Sequence, residues 1–260
     1  MKIAAYTFLF LLLIACNSSS DTKTAKDLPV DTNASTQPAT IETDTIQPVK
    51  LAKQQLPAEI KFKGTLQEAW RWKDRTGDNL LITSLVPPYM DKQKNEYGEE
   101  GGSSELYAFH FVKDDSGYSL LWKISDAEKA CPFDLTLVFF KDAVTITDLD
   151  KDGIAETTVQ YKKACRSDVS PAHMKLVMHE DTTKYSLRGG MWVFDGGNGK
   201  FEITEKDVNL EKLTKPKDQM AKMYQLYGRY ETEKEFTKAP PEFLVHARNQ
   251  WLKYAKESFD

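Results

Sequence analysis

Leu106-Tyr107-Ala108-Phe109-His110-Phe111-Val112 is the stretch on which the fold turns. Its rings fall at every second position, so Tyr107, Phe109 and Phe111 share one face of an extended chain. Similar runs lie on both sides of it. Residues 80–86 precede it, and 118–124, 135–140, 143–147, 154–161, 174–178, 185–187 and 192–194 follow. The turn Glu180-Asp181-Thr182-Thr183 divides two of these runs, and Gly196-Gly197-Asn198-Gly199 closes the series. Short strands with turns roughly every 8–12 residues predict a mainly β fold of antiparallel sheets, sandwich- or propeller-like. No internal repeat supports a full propeller. Residues 91–104 are polar and glycine-rich and read as a mobile hairpin loop.

The period changes near the C-terminus. Met220, Met223, Tyr227 and Tyr230 are spaced as on a helix, as are Leu244, Ala247, Trp251 and Tyr254 after Pro240-Pro241. Both stripes read as packing faces for C-terminal α-helices docked on the sheets. The resulting division is a β-rich domain over 57–205 and a helical segment over 206–260.

The first residues carry a different message. Lys2 is followed by an uncharged stretch from Ile3 to Ala15 whose core is Phe8-Leu9-Phe10-Leu11-Leu12-Leu13-Ile14. That run is shorter than the roughly 20 residues a membrane-spanning helix needs. A charged start, an apolar stretch and a small residue before a cut describe a signal peptide over 1–15. Leu13-Ile14-Ala15-Cys16 resembles the bacterial lipobox, and the resemblance implies a diacylated Cys16 as the first mature residue. An ordinary signal peptide containing a cysteine is the plainer reading. Residues 16–56 lack aromatic residues and are rich in Thr, Ser, Asp, Lys and Pro, the composition of a disordered tether. An anchor in the outer membrane follows from the lipobox. Which face the body occupies stays open, because only Asp21 stands near Cys16 as an export-type acid.

Net charge is -4 and no basic stripe interrupts it, which argues against a nucleic-acid partner. With Cys16 lipidated, Cys131 and Cys165 are left as a candidate disulfide in an oxidising compartment, or as two buried thiols.

Thr147-Asp148-Leu149-Asp150-Lys151-Asp152-Gly153-Ile154-Ala155-Glu156 is the stretch with the clearest chemistry. Carboxylates at loop positions 1, 3, 5 and 9, with glycine at 6, suit a hard calcium ion. Gly153 allows the positive φ that the turn needs, and the Ile154 carbonyl supplies a further oxygen. The expected ligands are therefore Asp148, Asp150, Asp152, Ile154 and Glu156. Magnesium tolerates such crowding less well. The bare alternative is an acidic surface turn without metal. Val159 stands where an EF-hand has its bidentate Glu, so the loop is not an EF-hand. It resembles instead the calcium hairpin loops of integrin-type (FG-GAP) blades. In the strand that follows, Thr157, Val159 and Tyr161 share one face, and Glu156, Thr158 and Gln160 the other. Asp74-Arg75-Thr76-Gly77-Asp78-Asn79 echoes the loop without its acid spacing.

No catalyst stands out, so an enzymatic role is left uncertain, with the balance against it. His173 and His179 could share a strand face, but a third zinc ligand is missing. No G-x-S-x-G elbow, P-loop or dinucleotide fingerprint occurs. The runs Cys165-Arg166-Ser167-Asp168-Val169-Ser170-Pro171, Lys175-Leu176-Val177-Met178 and Lys184-Tyr185-Ser186-Leu187-Arg188-Gly189, together with the acidic loop, resemble Bacteroidota lipoproteins labelled as surface polysaccharide biosynthesis proteins. The likeness covers roughly residues 70–190 and implies a role in building or displaying surface glycans. It carries no catalytic residues.

Two readings result. One is a calcium-stiffened, non-enzymatic accessory or binding lipoprotein, held to the membrane by its lipid and meeting envelope glycan or glycan-assembly proteins. Arg166, Asp168 and Arg188 are its candidate partner contacts, unless they serve internal pairs such as Arg166 with Asp168. The other reading is a calcium-dependent glycan hydrolase or lyase, with converging acids in a cleft lined by Trp70, Trp72 or Trp192.

Overall fold

The computed structural model describes residues 46–193 and 202–257. The expected signal peptide, Cys16, most of the tether and the 196–199 turn lie outside them. Residues 42–260 cluster as one compact unit. No helix among the described residues is long and apolar enough to cross a membrane.

Ten strands form two antiparallel sheets, and neither closes into a barrel. The first sheet runs in chain order through β1 (Val49–Lys50), β2 (Thr65–Asp74), β3 (Gly77–Asp91), β4 (Gly101–Asp114) and β5 (Gly117–Cys131). The second holds β6 (Asp134–Phe139), β7 (Thr145–Thr147), β8 (Glu156–Arg166), β9 (His173–Glu180) and β10 (Thr183–Gly190). Its order is β10-β9-β8-β6, and β7 pairs the remaining part of the β8 edge. Tight hairpins explain the meander. Asp74 Oδ1 accepts the Thr76 N–H at 2.8 Å, and Asp114 Oδ1 accepts that of Ser116 at 2.8 Å, each acid closing its own turn.

Alternation sorts the side chains into layers. Trp72, Leu81, Leu106, Ala108, Trp122 and Ile124 of the first sheet meet Leu137, Val159, Tyr161 and Val177 of the second, the core of a sandwich. Tyr107, Phe109 and Phe111 do share a face, with Leu80 and Ile82, on the other side of the first sheet. Leu51, Leu56, Ile60 and Phe62 cover them. The ordered body thus starts before Pro57, because β1 pairs Val49 with Arg71 and Lys50 with Trp70 inside the expected tether.

Beyond the second sheet, Met174, Leu176, Met178, Tyr185 and Leu187 pack under the C-terminal segment. There α1 (Gln219–Gln225) is short and α2 (Pro241–Tyr254) buries Phe243, Ala247 and Trp251. Full burial of each large side chain contributes about 1.5–3 kcal/mol, so α2 is held by its packing. The expected 220–230 stripe is not a packing face. The helix stops at Gln225, Met220 and Met223 are exposed, and Tyr230 is buried in an extended segment that bridges Gly189 and Asn209.

Two other expectations change. The 91–104 loop shrinks to 92–100, because β3 and β4 stay paired as far as Asp91 and Gly101 and Ser103 Oγ donates to Asp91 at 2.8 Å. Gly101 is needed there, since a Cβ would lie 2.2 Å from the Cys131 carbonyl oxygen. Trp192 forms only an isolated parallel bridge to Lys256, not a strand. Cys131 and Cys165 are joined by a disulfide that links the end of β5 to β8.

Candidate metal centre

The acidic loop spans the gap between β7 and β8. Its backbone takes left-handed values at Lys151 (φ 63°) and Gly153 (φ 83°), curling the carboxylates toward one another. Oxygens of Asp148, Asp150 and Glu156 lie within 4.8 Å of one another, and so do those of Asp150, Asp152 and Glu180. Asp150 belongs to both groups. These acids are placed to hold a metal ion. The expected acids are brought together as two overlapping clusters rather than one ring, and Ile154 belongs to neither. Its N–H donates to Asp152 Oδ1 at 2.7 Å.

Glu156 is the most buried acid of the two groups. Its side chain lies on the face opposite Val159 and Tyr161, as the alternation of β8 requires, and it is fully buried. Oε2 accepts Thr147 Oγ1 and the Leu149 N–H, both at 2.9 Å. Oε1 has no hydrogen-bond partner. Burial pushes the Glu156 carboxyl up to about 7, and the charge of Asp150 adds to the rise. A buried carboxylate oxygen without a donor is costly unless a cation or proton meets it.

Glu180 was not found by sequence reasoning. It stands directly opposite Glu156 in the β8–β9 ladder, a position where like charges repel. Burial, with Asp150, Asp152 and Asp181, raises its carboxyl above the ordinary value. The 180–183 turn sets the β9–β10 register, whereas the β8–β9 pairing carries Glu180 to the loop, and no local sequence signal gives that pairing.

The first sheet grips the same loop. Arg75 N–H donates to the Gly153 carbonyl at 2.8 Å, and its guanidinium donates to the Asp152 carbonyl. Ala155 N–H donates to Asp74 Oδ2 at 3.1 Å. Burial pushes Asp74 up, but bonds from Thr76, Trp72 and Ala155 outweigh it and leave the carboxyl below its usual range. The 74–79 segment that echoes the acidic loop is its clamp.

Behind the clamp lies a buried polar row. Asn79 Nδ2 donates to Asp74, and Asn79 Oδ1 meets His110 Nε2 at 2.8 Å. The His110 ring lies beside Trp72 and Trp122, and Trp122 stacks on His179 with centroids 4.0 Å apart. Burial lowers His110 to about 4 and His179 to about 3, so both are neutral near pH 7. The metal-capable groups among the described residues contain no histidine.

The expected partner contacts are separated. Arg166 bonds Glu257 with two nitrogens, at 2.7 and 3.1 Å, and its charge adds to the Ser170 bonds that lower the Asp168 carboxyl. Asp168 accepts the Ser170 N–H at 2.9 Å. Arg188 pairs with Glu235 at 2.5 Å on a different strand. Of the three tryptophans, Trp70 and Trp72 stand on the first sheet, and Trp192 packs against the core under the C-terminal segment. Trp72 is buried between the sheets, Trp70 Nε1 donates to Glu68 at 2.8 Å, and Trp192 packs on the far side of the second sheet. No family model, curated protein or solved structure matches this chain.

Proposed function

We propose that the chain is an outer-membrane lipoprotein anchored through Cys16, whose body is a non-enzymatic β-sandwich stiffened by calcium and serving surface-polysaccharide assembly or display. The observation that carries the metal part is Glu156, fully buried with Oε1 unpartnered beside two overlapping clusters of acids. Hard oxygen donors at this density suit calcium, which takes about six to eight of them. Asp148, Asp150 and Glu156 are the main ligands, Asp152 and Glu180 the second group, and the Ile154 carbonyl the backbone donor. The polysaccharide part rests on the motifs of residues 165–189.

Calcium at 100 times its dissociation constant stabilises a folded site by about 2.7 kcal/mol. For a body of this size that is roughly 5–10 °C in melting temperature. The test is thermal melting of residues 42–260 with calcium, magnesium or chelator. The expected outcome is a calcium-specific rise that Asp150→Ala removes. Equal melting in calcium and chelator would refute the metal.

A further inference from the structure

A second site lies between the two sheets. β5 on one side and β9 and β10 on the other enclose a cleft of about 280 Å³. Its mouth is cationic for a reason set by register. Lys184 pairs with His179 and Arg188 with Lys175 across the β9–β10 ladder. These four side chains therefore project from one face of the second sheet, the face that carries Val177 toward the first sheet. Lys123 also borders the cleft, but its ammonium sits 4.8 Å from the Tyr107 ring, on the other side of the first sheet.

Asp126 is the only acid lining the cleft, and it is already spent. It binds the Lys175 ammonium and accepts Tyr161 Oη at 2.8 Å, with Lys163 at 3.4 Å. Lys163 also faces Glu128 at 3.6 Å, so these two lysines are matched by two carboxylates and the surplus charge falls to Lys184. Arg188 gives one nitrogen to Glu235, and a guanidinium has five N–H donors. Lys184 is exposed and makes no ion pair among the described residues. The cleft holds surplus positive charge and unused donors in a space too small for an extended chain.

We infer that this cleft binds a small oxyanion, a carboxylate or phosphate group carried on a molecule about the size of one sugar, held by Arg188 and Lys184 with Lys175 at its inner edge. Planar guanidinium donors match both groups in two-pronged geometry, and the ammonium adds a point charge. The inference rests on the cleft alone and does not depend on the metal loop.

Calorimetric titration of the full chain in calcium-free, low-salt buffer tests it, with inorganic phosphate, glucuronate and neutral glucose as probes. The expected result is saturable one-to-one binding of phosphate or glucuronate and none of glucose. Their relative affinities tell which oxyanion the cleft prefers. Lys184→Ala and Arg188→Ala should each weaken binding tenfold or more. Lys123→Ala, outside the cleft's charged face, should leave it unchanged. Lys184 is exposed, so its variant keeps the wild-type melting curve and reports on binding alone. No saturation with either anion, equal binding of glucose, or wild-type affinity in Lys184→Ala and Arg188→Ala would overturn the proposal.

Discussion

The guanidinium of Arg166 closes a two-pronged bridge on the carboxylate of Glu257, tying the end of β8 to the last described residue of the chain. The Glu257 side chain is fully buried and also accepts Lys162 at 3.2 Å and the Ala172 N–H at 3.0 Å. Burial alone would raise its carboxyl, but Arg166 and Ala172 hold it below the usual range. Removing one partner of a buried pair costs about 3–5 kcal/mol. Glu257→Ala should lower the unfolding free energy measured in urea by that much, and Glu257→Gln by less. A midpoint unchanged in Glu257→Ala would show the bridge to be energetically idle.

Glu180, the cross-strand acid of β9, adds a carboxylate to the acidic loop from outside it in sequence. Glu180→Gln should weaken calcium binding about tenfold, the scale of one lost charged donor at roughly 1.4 kcal/mol. Asp181→Asn, outside both clusters, should weaken it much less. Competition with a calcium-sensitive dye measures both. Equal effects would mean that only general acidity matters.

His110 makes folding depend on pH. Its folded value, near 4, is below the unfolded value of 6.5, so the unfolded chain binds more protons between these limits. Stability therefore rises with pH from about 4 to 6.5 and is flat above, as far as this group is concerned. Across the window the histidine contributes about 3 kcal/mol at most. Urea unfolding at pH 4.5, 5.5 and 7 should show a steeper slope in the wild type than in His110→Gln. Glu156 titrates in both proteins and cancels from the comparison.

The disulfide closes a sequence separation of 34 residues, which on the chain-entropy model is worth about 4 kcal/mol. Cys131→Ser with Cys165→Ser should lower stability by that order, and a reductant should do the same to the wild type. Denaturant midpoints with and without dithiothreitol check both. Neither change would be seen if the unfolded chain were already compact.

Much of this architecture is written in period-2 patterns. The split of Thr157, Val159 and Tyr161 from Glu156, Thr158 and Gln160 places the former against the first sheet and the latter under the C-terminal segment. β2 escapes such a reading because a bulge between Leu66 and Glu68 shifts its register. The exposed Met220 and Met223, three apart, are at helical spacing just as the buried Phe243 and Ala247, four apart, are, since spacing says which residues share a face but not what covers it. In the metal centre, the loop acids are legible because they are contiguous. Glu180, Asp74 and Arg75 are not, because strand pairing brings them there.

β6 and β7 share one edge of β8, and between them the chain keeps only the Phe140 N–H on it, 3.1 Å from the Gln160 carbonyl. The Tyr254 hydroxyl reaches across to the carbonyls of Lys141 and Asp142, at 3.2 and 2.8 Å, so the last helix shields the break. Cutting the chain before Pro240 would uncover a raw strand margin beside freshly bared Met174, Leu176 and Leu187. A truncated product should then stick to its own copies, so the final turns of helix keep the molecule apart from its neighbours as well as folded.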